Sequence, residues 1–122
     1  MRKRASMFAN VDVPRRGGVY IIWNHRKGNP VYVGESSNLD ERIGDLMRPI
    51  NHTFTRQIQK STRIKSLERL RSYMSRRFDL SFVVLRDGRK ELEEFLICYW
   101  KTFKYNKRPA RYMNSDDYPL DI

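Results

Sequence analysis

Apolar and polar positions along the chain divide it into short segments of distinct period. Gly17-Gly18 introduces Val19-Tyr20-Ile21-Ile22-Trp23, a run of β-branched and aromatic residues that predicts a strand. Asn24 through Pro30 brings Gly28, Asn29 and Pro30 together as turn chemistry before Val31-Tyr32-Val33, so the segment reads as a β-hairpin. Gly34-Glu35-Ser36-Ser37 leaves the second strand. Asn38 then stands three residues before Glu41 in a relaxed capping box, opening a helix with Leu39, Ile43, Leu46 and Met47 on one side and Pro49 as its stop. After a loop through His52 and Thr53, residues 61–77 predict a helix with Ile64, Leu67, Leu70 and Met74 inward and Lys65, Arg69 and Arg76 along another side. Leu80 to Leu85 reads as a third strand, closed by the turn signal Asp87-Gly88. The last helix carries Leu92, Phe95, Leu96, Tyr99, Trp100 and Phe103 at i, i+3, i+4, i+7, i+8 and i+11, a face that belongs on the sheet. From Lys107 to Ile122, Pro109, Asn114, Asp116, Asp117 and Pro119 predict an extended tail.

At 122 residues the chain is one ordinary domain, and 39% hydrophobic against 32% charged residues leaves enough apolar side chain for a compact interior. Charge changes the picture more. Twenty-five Lys and Arg against fourteen Asp and Glu give +11, a field that draws in a polyanion and makes nucleic acid the default partner. The excess sits in blocks: seven basic and one acidic residue in 1–27, eight and one in 56–77. The intervening segments are near-neutral and the most apolar, as expected if they form the core while Arg56, Lys60, Arg63, Lys65, Arg69 and Arg76 line a groove for phosphates.

Cys98 is the lone cysteine, which excludes an internal disulfide, and with His25 and His52 alone beside it a structural zinc site has too few ligands. The basic start has the flank of a signal peptide, but Asn10, Asp12, Pro14, Arg15 and Arg16 stand where its apolar stretch should be. The apolar runs Val19–Trp23 and Phe95–Trp100 fall far short of the roughly 20 residues that cross a bilayer. The expectation is a soluble intracellular protein, cytoplasmic or, in a eukaryote, nuclear, with no membrane partner.

Five elements in order carry chemistry: Gly18-Val19-Tyr20, Tyr32-Val33-Gly34, Asn38-Leu39-Asp40-Glu41-Arg42, Leu92-Glu93-Glu94-Phe95-Leu96-Ile97 and Tyr105-Asn106. In order and spacing they resemble the GIY-YIG nuclease family over most of residues 17–108. The resemblance implies an α+β fold, a small three-stranded antiparallel sheet flanked by helices. It divides the chain into a basic arm at 1–16, the nuclease domain at 17–108 and a tail at 109–122. It further implies Tyr20 and Tyr32 as the paired tyrosines, Arg42 as catalytic arginine, Glu93 as ligand of a divalent cation, Mg²⁺ or Mn²⁺, and Asn106 as the closing polar residue.

Each residue type suits its task. A guanidinium offers a planar fork to two phosphate oxygens, which a flexible ammonium does not. Mg²⁺ is commonly held by one or two carboxylates, with water and substrate phosphate completing its shell, so one glutamate suffices; Glu91 and Glu94 read as surface charges near the helix start. A phenol is an awkward base: at a pKa near 10 about one in a thousand is ionised at pH 7, a cost of roughly 4 kcal/mol, so a nearby cation has to favour the phenolate. On this reading Tyr20 deprotonates the water and Tyr32 orients water or phosphate, the residues alone leaving the division of labour open. Asn106 either ties the segment after the last helix back to the site or touches phosphate. Many relatives carry His or Lys after the Tyr-x-Gly or near the arginine; here Glu35 follows Gly34 and Leu46 lies one turn beyond Arg42, and His52 and Lys27 read as structural or exposed.

The resulting expectation is a metal-dependent DNA endonuclease leaving 5′-phosphate and 3′-hydroxyl ends, as in phage or mobile-element, restriction or repair nucleases. Structured or single-stranded nucleic acid is a further substrate class. One site cuts one strand, so a double-strand break calls for a homo-oligomer or two successive nicks. The rival is a catalytically inactive nucleic-acid-binding module on the same fold, which has no need of a carboxylate that repels phosphate.

Overall fold

The computed structural model describes residues 12–107 together with the backbone of Ala5–Ser6; most of the basic arm and the predicted tail lie outside the described residues. Chain order gives β1 (Ala5–Ser6), β2 (Gly18–Asn24), β3 (Pro30–Ser36), α1 (Leu39–Gly44) running into a 3₁₀ turn (Asp45–Met47), α2 (Thr53–Thr62), α3 (Leu67–Arg77), β4 (Phe78–Val84) and α4 (Arg89–Trp100). The sheet order is β1-β4-β2-β3 and every pairing is antiparallel. Three long strands thus form the sheet of an α+β fold, and β1 adds a two-residue fringe on β4.

Strand alternation sorts side chains onto two faces. Tyr20 and Ile22 join Leu39, Ile43, Leu46, Phe54, Ile58, Leu70 and Met74 in the larger core, beneath α1, α2 and α3. Val19 and Val33 meet Ile97 on the opposite face, with Leu92, Leu96, Trp100 and Phe103 of the α4 region packed around them. Burying each such aliphatic or aromatic side chain contributes about 1.5–3 kcal/mol. Trp23 lies edge-on to Trp100 at 5.5 Å and donates its indole N–H to Ser81 Oγ at 2.7 Å, satisfying the one polar atom that ring carries inward.

The hairpin, the third strand and the starts of both outer helices follow the sequence expectation, but α4 ends at Trp100, short of Phe103, with Lys101 in the left-handed conformation (φ 54°); Asn38 Oδ1 caps α1 by accepting the Glu41 N–H. The middle of the chain does not. Residues 53–62 form a helix where a loop is expected, and the single helix predicted over 61–77 is broken. The reason is local chemistry of unusual kind: His52, not a hydroxyl or carboxylate, caps α2 through its ring, and Arg63 ends it in the left-handed conformation (φ 59°), a place glycine normally fills. Ser66 then caps α3 afresh. Leu67, expected inward, is exposed because it is now the first residue of a helix rather than the middle of one. Phe95 and Tyr99 are also exposed, 40% and 59%: α4 lays Leu92, Leu96 and Trp100 on the sheet, and the two rings stack on each other outside it at 5.8 Å. Among the described residues no helix is long and apolar enough to cross a membrane.

Candidate active site

Tyr20 and Tyr32 leave adjacent strands on the same face, with ring centroids 6.3 Å apart. Tyr20 pairs across the ladder with Gly34, and its ring lies over that residue so closely that a Cβ there would overlap the ring and its hydroxyl. This is the physical content of the glycine in Tyr32-Val33-Gly34. Gly18, at the other motif, is similarly pressed: a Cβ would strike the Val83 carbonyl and come within 2.6 Å of Leu39.

His52 closes one side of the phenol pair. Its Nδ1 accepts the Phe54 backbone N–H at 3.1 Å, so in the neutral ring the proton resides on Nε2, which donates to the Tyr20 hydroxyl oxygen at 2.8 Å. Burial, reinforced by the charge of Arg42, pushes the His52 pKa down to about 3. The imidazole is therefore a fixed neutral donor. The sequence reading missed it, since 32 residues separate it from Tyr20 and only the α1–α2 connection brings the two together.

Arg42, on α1, is held by the Asn51 carbonyl (3.0 Å) and the Asp45 carboxylate (3.6 Å), and its positive charge acts on the Tyr20 phenol. Burial raises the pKa of Tyr20 far above that of a free phenol, the neighbouring Tyr32 adds to it, and Arg42 opposes both. Tyr32, less buried, is raised by burial and by Glu93 but pulled back by Arg42.

β3 is the free edge of the sheet, and its outward-facing peptide groups are put to use. Asn106 Oδ1 accepts the Val33 N–H and its Nδ2 donates to the Val33 carbonyl, both at 2.8 Å, while Thr102 Oγ1 donates to the same Oδ1. The amide thus replaces a missing neighbouring strand at the residue next to Tyr32, and Asn106 is buried with its polar atoms engaged. Two residues along, Glu35 comes close enough to Glu93 for their carboxylates to act on each other. Burial, together with the charges of Glu35 and Glu94, raises the Glu93 pKa to about 7. Among the described residues no three His, Cys, Asp or Glu converge on one point, so an all-protein metal cage is absent there. A single desolvated carboxylate crowded by others of its own sign suits one hydrated, oxygen-seeking divalent ion.

Tyr20, Tyr32, Arg42 and Glu93 thus interact as one electrostatic unit, and Asn106 stands beside it rather than in it. Arg56, Lys60, Arg63 and Lys65 line a shallow basin with Gln59 and Ile64, whereas Arg69 lies exposed on α3 and Arg76 bonds Ser72. Lys27 stays out of the site, in the hairpin turn, where its backbone N–H bonds Asn24.

An α+β fold presenting two phenols, a guanidinium and a carboxylate around one sheet edge defines a small hydrolytic nuclease module. Residues 16–112 match the GIY-YIG catalytic domain, and the chain belongs to that family as a GIY-YIG-type endonuclease. Similar solved structures include two of the N-terminal GIY-YIG endonuclease domain of UvrC from Thermotoga maritima. One, bound to magnesium as its catalytic divalent cation, has 26% identity and a TM-score of 0.52 over 77% of this chain and 86% of that one. The other, a tyrosine-to-phenylalanine mutant with its catalytic cation, has 26% identity and a TM-score of 0.52 over 79% and 88%. No curated protein sequence matches.

Proposed function

We propose that the chain is a divalent-cation-dependent DNA endonuclease that hydrolyses phosphodiesters to 5′-phosphate and 3′-hydroxyl ends, working inside the cell. The observation that carries this reading is the joint interaction of Tyr20, Tyr32, Arg42 and Glu93, four side chains drawn from β2, β3, α1 and α4. The magnesium of the similar UvrC domain supports Mg²⁺, or Mn²⁺ in its place, with Glu93 as the protein ligand. When bound, such an ion supplies Lewis-acid stabilisation of the phosphate and leaving oxygens.

Arg42, cationic at every working pH, presents its fork to the non-bridging oxygens, whose charge grows as phosphorus becomes pentacoordinate. Tyr32 Oη, after releasing its own proton to solvent, takes as phenolate the proton of the attacking water. The alternative, in which Tyr20 does so, is disfavoured because the deeper burial of Tyr20 makes its ionisation the costlier. Tyr20, oriented by His52, is a positioning donor. Asn106 acts through the backbone of Val33 and holds Tyr32 in register. DNA contact along the basin of Arg56, Lys60, Arg63 and Lys65, and along Arg69 and Arg76, follows from the charge of α2 and α3.

Supercoiled plasmid tests the reading. Nicking by the wild-type chain with Mg²⁺, none in EDTA, and a fall of about 10³-fold for a folded Glu93→Gln variant are expected. Wild-type protein that binds plasmid yet never cuts it under any divalent cation would establish the inactive binding module instead.

A further inference from the structure

A second cationic cleft, unconnected with the α2 basin and sharing no residue with it, opens where β2 begins and β3 ends. It holds about 290 Å³ and is lined by Arg16, Gly17, Ser37, Val84, Arg86 and Arg89. Arg89 lies against Gly17, is anchored by donating to the Arg86 carbonyl at 2.7 Å, and sits 3.9 Å from the Glu35 carboxylate. Its Nε is buried and donates no hydrogen bond. Among the described residues, Arg16 and Arg86 have no carboxylate within ion-pair distance, so three guanidiniums face one cleft against a single, long contact to an acid. Like charges gathered this way repel one another unless an anion joins them.

Position gives the cleft its meaning. Arg89 and Glu93 are i and i+4 on α4, one above the other and about 6 Å apart along the helix. That is comparable to the step between successive phosphates on a nucleic acid strand. We propose that the Arg16–Arg86–Arg89 cleft binds the backbone phosphate next to the scissile one, fixing the strand as it enters the site; this rests on the nuclease reading above. The guanidinium fork of Arg89, braced from behind by the Arg86 carbonyl, meets two phosphate oxygens, and Ser37 lines the same cleft.

The test measures binding without turnover. Anisotropy of a fluorescein-labelled DNA duplex is titrated in EDTA at several KCl concentrations for the wild type, for Arg16→Ala/Arg86→Ala/Arg89→Gln, and for an exposed-cation control, Arg26→Ala/Lys27→Ala/Lys107→Ala. Loss of one phosphate contact shared by three cations is expected to weaken binding at least about tenfold and to make the slope of log K against log[KCl] shallower by about one, with the control close to wild type. The single exposed variant Arg86→Glu, which leaves Arg89 packed on Gly17, is expected to weaken binding in the same direction. An unchanged slope in the cleft variant, or an equal change in the control, overturns the inference. Because no cleavage is read, a chain that binds through the cleft but fails to nick plasmid removes the catalytic reading and leaves the cleft standing.

Discussion

With Glu93 as the proposed metal ligand, its protonation state is expected to set when the site can work. Its folded pKa of about 7 lies above that of a free carboxylate, so between pH 4.5 and 7 the native state holds a proton that the unfolded chain has released. Stability of the metal-free protein is therefore expected to fall as pH rises through that window, and Glu93→Gln is expected to flatten the dependence. Melting temperatures at pH 5, 6, 7 and 8 check the sign. A divalent cation needs the ionised carboxylate, so Mg²⁺ is expected to raise the melting temperature more at pH 8 than at pH 6, and not at all in Glu93→Gln. Gly34 is the second sensitive position. Its substitution by Ala forces the Tyr20 ring away from the strand, and the expected result is about 1–3 kcal/mol of lost stability with a roughly 10²-fold lower cleavage rate. Denaturant unfolding and single-turnover kinetics separate the two losses.

At the scale of elements, the free edge of β3 is where sheet and site meet. An edge strand exposes peptide groups that would pair with another chain. Here the turn after α4 satisfies Val33 with the Asn106 amide, and α4 itself faces Glu35 with the Glu93 carboxylate. Asn106→Ala leaves a buried N–H, a buried carbonyl and the Thr102 hydroxyl without their partner, an expected cost of about 2–4 kcal/mol. Well below its melting temperature the variant is expected to keep kcat within about tenfold of wild type, because the amide touches no reacting atom. Urea unfolding beside plasmid nicking decides between this and a direct phosphate contact, which would lower kcat with little loss of stability. The helices teach a related lesson. The period of Leu39, Ile43 and Leu46 was readable because a cap and a proline bracket it, whereas α2 was not, since its stripe is short, its first residue is capped by an imidazole and its end is an arginine in the left-handed region. Phe95 and Tyr99 kept helical spacing but fall on the outer side of α4, which periodicity alone does not distinguish when a helix is apolar on more than one face.

For the whole molecule, charge and site count govern behaviour. With one candidate cluster among the described residues and a net charge of +11, the chain is expected to nick supercoiled plasmid first, with open-circular DNA accumulating before any linear form; a gel time course at substoichiometric protein reads the order. Linear product from the outset would show instead that two copies act together. The motif residues, the hairpin, the capped α1 and the basic blocks were all legible in the chain, because each is fixed by neighbours a few positions away: a turn dipeptide, a strand alternation, a cap, a run of like charge. The convergence of Tyr20 with His52, the Asn106 clasp on Val33, the crowding of Glu93 by Glu35 and the meeting of Arg16 with Arg86 and Arg89 were decided only by the tertiary structure. Those contacts join residues 32 to 73 positions apart in the hydrogen-bonded cases, and what sets them is which edge of the sheet each helix covers, a choice made by packing of the whole core.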